Sequence, residues 1–216
     1  MINIIPWRIK NFLSEHFPIA YHLVVNRGTK GNNSEVWDRR LADNWDKAEW
    51  PTKVEMISNR VGREVQIVDI ACGTGSILRE LRRSGFKNLH GLDGSNYAIK
   101  RLTDEGFIMH YGKLPNLPFD NESFDVIIAS QILEHVIRRR KFAKEIYRVL
   151  KPHGIAFIFV PNDSLGPIDE PSHTIKYTSK SLKSFLENFF DVEHMEILKE
   201  PGYEVNVLSA IVSKPL

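Results

Sequence analysis

The stretch VDIACGTGS, Val68 to Ser76, decides the fold. A short apolar run carries an acid, Asp69, and passes through Gly73 and Gly75 into SILRELRRSG, where apolar residues recur at helical spacing and Gly85 closes the pattern. A strand, a glycine turn and a helix in that order form the repeating unit of a parallel α/β sheet, whose ligands sit at the carboxyl ends of the strands. Downstream the alternation continues. NLHGLD reads as a strand, SNYAIKRLTDEG as a helix with Ser95 at its N-cap and Gly106 past its end, and GFIMHY and SFDVIIAS as strands. RRRKFAKEIYRVLKPHG places Phe142, Ile146 and Val149 on one helical face before a Pro and Gly stop, and IAFIFVP is another buried strand beginning at Ile155. Near-continuous apolar strands of this kind are buried on both faces, with helices above and below. The tail differs: a helix near 179–188 precedes DVEHMEILKE and YEVNVLSAIVSK, two strands joined at Pro201 and Gly202, which predict an antiparallel pair at one edge.

Upstream of the turn, Val54, Ile57 and Val61 predict a helix over 52–61 leading into the main domain. Ile5, Ile9, Phe12, Leu13, His16 and Phe17 share one helical stripe, and a polar, turn-rich stretch near 26–35 is expected to be mobile. The chain is thus expected to divide into an amino-terminal helical extension, 1–63, acting as a lid over the cleft, and a ligand-binding domain, 64–216.

The 216 residues suffice for one domain with a sizeable core, since 42% are hydrophobic and 26% charged. The net charge of +2 is too small to imply polyanion binding. One cysteine, Cys72, forms no internal disulfide and rules out a cysteine-based zinc cluster. Charges and Pro6 interrupt the amino terminus before a signal-peptide core can form, and no 18-residue apolar run occurs, so the expected location is the cytoplasm, without stable membrane insertion.

The chemistry of the turn narrows the ligand. Asp93 ends the next strand, where a carboxylate can accept hydrogen bonds from both hydroxyls of a ribose. The dinucleotide pattern G-x-G-x-x-G needs glycine at 78, where this chain has Leu78, and a pyrophosphate would be repelled by Asp69. An ammonium group and a sulfonium would be attracted to it. The residues therefore point to S-adenosylmethionine over a nicotinamide dinucleotide, and an NAD-dependent oxidoreductase is the disfavoured alternative. A catalytically silent binding subunit is a further alternative that these residues leave open.

With VDIACGTG, GLDGS, LPFDNESFDVIIASQILEHV and LKPHGIAFIFVPN in this order, residues 64–214 resemble the class I S-adenosylmethionine-dependent methyltransferases, in the group that includes the ubiquinone and menaquinone biosynthesis enzymes. The resemblance implies a Rossmann-like, seven-stranded, mostly parallel sheet and transfer of a methyl group to a small-molecule acceptor, leaving S-adenosylhomocysteine. It also implies cofactor contacts from Asp69, Ala71, Gly73, Gly75, Asp93, Gly94, Leu114, Ser130 and Gln131. Asp69 would orient the methionine end through water or backbone, and Leu114 would offer its N–H to adenine. Lys113 stands where relatives often carry an acid.

His135, just beyond the fourth strand, is expected where cofactor and acceptor meet, and is the candidate catalytic base or acceptor-positioning residue. His173 lies in a loop that could rim the same pocket. The basic run Arg138–Lys141 reads as a solvated helix face, and SQILEH lacks the Asn/Asp-Pro-Pro-aromatic grip of base methylases, so no nucleic-acid partner is expected. Asn162 and Asp163 resemble part of the metal site of magnesium-dependent catechol methyltransferases, but Ser130 stands where its carboxylate would be, and no metal is expected.

Overall fold

Ile67, Val68 and Ile70 are completely buried because β1 (Ile67–Ile70) runs between two parallel neighbours, β2 (Leu89–Asp93) and β4 (Phe124–Ser130). This computed structural model describes residues 34–45, 49–162, 173–202 and 206–215, together with 9, 12, 13, 16, 17 and 20. Adding β3 (Ile108–Tyr111), β5 (Leu150–Pro161), β6 (Asp191–Leu198) and β7 (Val207–Ser213) gives one seven-stranded sheet in the order β3-β2-β1-β4-β5-β7-β6. The first five are parallel, while β7 pairs antiparallel with both β5 and β6 at the edge. The strand order reverses at β1 and β4, which places the ligand crevice beyond their carboxyl ends.

Two apolar layers flank the sheet. On one face lie α2 (Pro51–Arg60), α3 (Ser76–Arg83) and α4 (Asn96–Asp104), anchored by Ile57, Leu78, Leu81 and Leu102. On the other lie α5 (Arg139–Val149) and α6 (Ser179–Leu186), anchored by Phe142, Ile146, Leu182 and Leu186. Helices α3 and α4 end alike. Gly85 and Gly106 adopt φ of 91° and 83°, and the following Phe86 and Phe107 donate backward to Leu81 and Leu102, satisfying the last carbonyls of each helix.

Two features differ from the sequence-based expectations. Strand β5 begins at Leu150, five residues before Ile155. Pro152 does end the helical run, but the chain goes straight into strand, pairing Leu150 with Phe124 before a register shift and placing His153 at φ 61°. A helix not expected from the pattern, α1 over Ser34–Asn44, begins in the last two residues of the stretch read as turn-rich. It packs on α4: Asp38 hydrogen-bonds the Ser95 hydroxyl, and Trp45 just beyond it is buried against Tyr97. The rest of that stretch, 26–33, falls outside the described residues, as does Ile5 of the amino-terminal stripe. Ile9, Phe12 and Phe17 of the stripe are 49%, 54% and 54% exposed. Among the described residues, no helix is long and apolar enough to cross a membrane.

Candidate active site

A cleft of about 660 Å³ opens at the carboxyl ends of β1, β2 and β4. Its floor is Ala71 and Gly73 after β1, Asp93 to Ser95 after β2, Gly112 to Pro115 after β3, and Gln131 and Ile132 after β4. Trp37 and Leu41 of α1 and His135 to Arg138 after β4 complete the lining.

The backbone of the first turn is held in the left-handed region at three positions, Ala71 (φ 57°), Gly73 (φ 56°) and Gly75 (φ 73°). A side chain at Gly75 would put its Cβ 2.4 Å from Leu102 Cδ2, so this glycine allows α3 and α4 to approach. At Gly73 a Cβ would instead point at Leu41, across the cleft mouth. Gln131, at the end of β4, is also left-handed (φ 55°), so two non-glycine residues carry backbone strain on the cleft floor.

Asp93 organises this floor. One carboxylate oxygen accepts the Gly73 N–H at 2.9 Å, and the other accepts the Ser95 N–H at 2.8 Å. Burial pushes its pKa up, and hydrogen bonds from Gly73, Ser95 and Gly94 pull it back. Each oxygen keeps acceptor capacity for a hydroxyl. Ser95 is the N-cap expected of it, accepting the Ala98 N–H at 3.1 Å.

Asp69 lies behind the floor. It is 2% exposed and is not among the residues lining the cleft. Burial, then repulsion from Asp93, pushes its pKa up to about 8, with Lys53 acting in the opposite sense. The attraction for a cation read from the sequence is therefore weakened by the burial of this carboxyl. Gly75 and Ser130 also stand off the cleft lining. Ser130 Oγ accepts a hydrogen bond from Lys53 Nζ at 3.1 Å.

Sequence reasoning missed Lys53. It is fully buried on α2, its ammonium stands 3.4 Å from the centre of the Trp50 ring, and burial lowers its pKa to about 8. Its backbone N–H and that of Thr52 donate to the two carboxylate oxygens of Glu200, tying the start of α2 to the tail. A lysine in a strongly polar helix carries no signal of burial, so the pattern alone gave no warning. The Cys72 thiol is pushed well up by burial and by the two aspartates.

His135 sits on a single helical turn, Leu133–His135. Trp37 meets its ring edge-on at 5.5 Å, and His173 packs on it with centroids 4.8 Å apart. Trp37 thus joins the wall, whereas Trp45 and Trp50 pack elsewhere. Asn162 is buried beyond β5, and Asp163 lies outside the described residues.

The donor set suits a nucleoside with an aminoacyl arm. A carboxylate ends β2, the Gly73 position opens onto the cleft, and Leu92, Leu114 and Ile132 are apolar residues of its lining.

Residues 68–158 match the methyltransferase-domain family. The chain is 29% identical over 214 residues to a demethylmenaquinone methyltransferase of Thermotoga maritima, covering 82% of this chain and 90% of that one. It is 30% identical over 102 residues to a sterol 24-C-methyltransferase of Schizosaccharomyces pombe, there covering 44% of this chain and 27% of the longer relative. A solved S-adenosylmethionine-dependent methyltransferase from Methanosarcina mazei superposes with a TM-score of 0.62 at 21% identity, over 74% of this chain and 97% of that one.

Proposed function

Since the chain belongs to the class I S-adenosylmethionine-dependent methyltransferases and takes its methyl group from that cofactor, we propose that it delivers the methyl to a small-molecule acceptor at the His135 end of the cleft. The observation that carries this reading is that one cavity is lined both by Asp93 and Gly73 and by His135 and Trp37.

The bound cofactor supplies an electrophilic methyl on a sulfonium, so the protein's task is to hold a nucleophile in line and keep water out. In this proposal Asp93 accepts the ribose hydroxyls, and the backbones of Ala71, Gly73 and Gly94 lie along the aminoacyl and ribose parts. Leu114 N–H meets the adenine, and Gln131 borders the methyl-bearing region. Asp69, Gly75 and Ser130 act from behind the floor: Asp69 as the buried neighbour of Asp93, Gly75 through the helix approach it permits, and Ser130 as the partner of Lys53. His135 accepts the acceptor's proton where the nucleophile is a hydroxyl or amine, and otherwise positions it.

Within the segment 1–63, Trp37 and Leu41 of α1 stand in the cleft lining and serve as its lid, while α2 packs on the sheet. The acceptor class is a metabolite and not a nucleic acid. The demethylmenaquinone relative supports an acceptor with an apolar body, which Trp37, Ile132 and Val136 would accommodate. The protein works in the cytoplasm. A screen of phenols, quinols, amines and sterol-like compounds with methyl-labelled cofactor tests the proposal. Label transferred to one class and lost in His135→Ala supports it; label transferred only to nucleic acid or protein rejects it.

A further inference from the structure

Among the described residues, one cluster of metal-ligating side chains stands at the acceptor end. Glu134, His135 and His173 bring a carboxylate oxygen and two imidazole nitrogens within 4.8 Å of one another. The backbone sets this proximity. The Glu134 carbonyl accepts both the Thr174 N–H at 2.7 Å and the Thr174 hydroxyl at 3.0 Å, which stitches the loop after β5 to the turn after β4. The two imidazole planes cross at 78°, so the rings do not stack face to face. Glu134 is 1% and His173 7% exposed, while His135 borders the cleft. Two imidazoles and one carboxylate suit zinc and neighbouring first-row divalent ions; magnesium and calcium prefer all-oxygen sets.

We propose that Glu134, His135 and His173 hold a divalent first-row transition cation, with zinc as the type, at the acceptor end of the cleft. The inference deepens the proposed function and rests on it for the identity of that end. Three protein ligands leave a fourth position of a tetrahedral ion for solvent or an acceptor oxygen, so the acceptor class becomes one with a coordinating hydroxyl or enolate oxygen. With the ion seated, the lone pair of His135 is committed to it, and His135 is then a ligand in place of a proton acceptor. The set is distinct from the Asn162, Asp163 and position-130 arrangement that the sequence argued against. Lys53 lies within electrostatic reach of Glu134.

The test uses the tag-free chain of 216 residues, stripped with a chelator and titrated with cobalt(II) as the probe. Calorimetry with S-adenosylhomocysteine is run on the same sample. About one cobalt per chain is expected, with the intense visible bands of a four-coordinate ion, and zinc-edge absorption of the zinc-loaded protein should count two imidazoles at about 2.0–2.1 Å. His173→Ala and, as a second variant, Glu134→Gln should each weaken cobalt binding at least about tenfold, with S-adenosylhomocysteine affinity retained. His110→Ala removes the other close histidine pair, where His90 Nδ1 lies 3.1 Å from His110 Nε2, and should leave the titration unchanged. Absence of the visible bands, a zinc shell without imidazoles, or loss of binding only in His110→Ala overturns the proposal. Protein that binds S-adenosylhomocysteine but no cobalt loses only the cation. Protein that binds cobalt but no S-adenosylhomocysteine keeps the cation site and loses the placement of a methyl acceptor beside it.

Discussion

The carboxylate of Asp93 accepts the backbone N–H of Gly73 at 2.9 Å, joining the end of β2 to the glycine turn after β1. A residue read from the sequence as a ribose ligand is therefore also the brace that shapes the floor on which the cofactor lies. Removing it should act on the binding surface as well as on one contact.

Gly75→Ala should destabilise the protein by about 1 to 3 kcal/mol, because a Cβ there overlaps the Leu102 side chain and φ is 73°. Leu102 is fully buried and has little room to yield. Denaturant unfolding measures this, and combining the change with Leu102→Ala should recover part of the loss. Full additivity of the two costs would contradict a direct clash.

Asp69 predicts a pH dependence of stability. Its folded pKa of about 8 lies above the unfolded value, so the folded state holds the extra proton between about pH 4 and pH 8. Stability from this group is full below about pH 4 and is lost as pH rises through 8, by up to about 1.4 kcal/mol per pH unit inside the window. Urea unfolding from pH 5 to pH 8 should show a shallower fall in Asp69→Asn than in the parent. Lys53 acts in a different window: its folded pKa of about 8 lies below its unfolded value, so its effect falls between about pH 8 and pH 10.

Glu200→Ala should cost about 1 to 2 kcal/mol, since it leaves the Thr52 and Lys53 N–H groups at the start of α2 without their carboxylate. A thermal scan at neutral pH reads the effect. An unchanged midpoint would mean that water replaces the carboxylate without penalty.

Much of this architecture was legible in the sequence because its signals are local. Glycines at 85 and 106, Ser95 as an N-cap and the apolar runs of β1, β4 and β5 each fix their own element, and the structure keeps them. The site was legible where a motif marks a backbone shape, as at Gly73 and Asp93. It was illegible where burial depends on distant partners. Lys53 is buried by Trp50, Ser130 and Glu200, which lie up to 147 residues away in the chain, and no local pattern announces that. Helix α1 escaped notice because only Trp37 and Leu41, with Trp45 just beyond, mark its inward face amid charged residues. The start of β5 was misplaced because Pro152 and Gly154 read as a stop, while the sheet accepts them through a register shift.

His135→Ala should lower turnover about 10²- to 10⁴-fold if the imidazole handles the acceptor's proton, with cofactor affinity nearly intact. Trp37→Ala, which removes the ring against His135, should raise the acceptor KM more than it lowers kcat. Steady-state kinetics on the acceptor found by the screen measures both, and normal kinetics in both variants would move the acceptor to another part of the cleft.

The most direct test of the account is calorimetry with S-adenosylhomocysteine on the parent protein and on Asp93→Ala. The parent should bind about one equivalent, and the variant should bind about ten- to 150-fold more weakly, the loss expected for charge-assisted hydrogen bonds to a diol. No heat of binding by the parent, or equal affinity in a folded Asp93→Ala protein, would contradict the placement of the cofactor on the Asp93 and Gly73 floor.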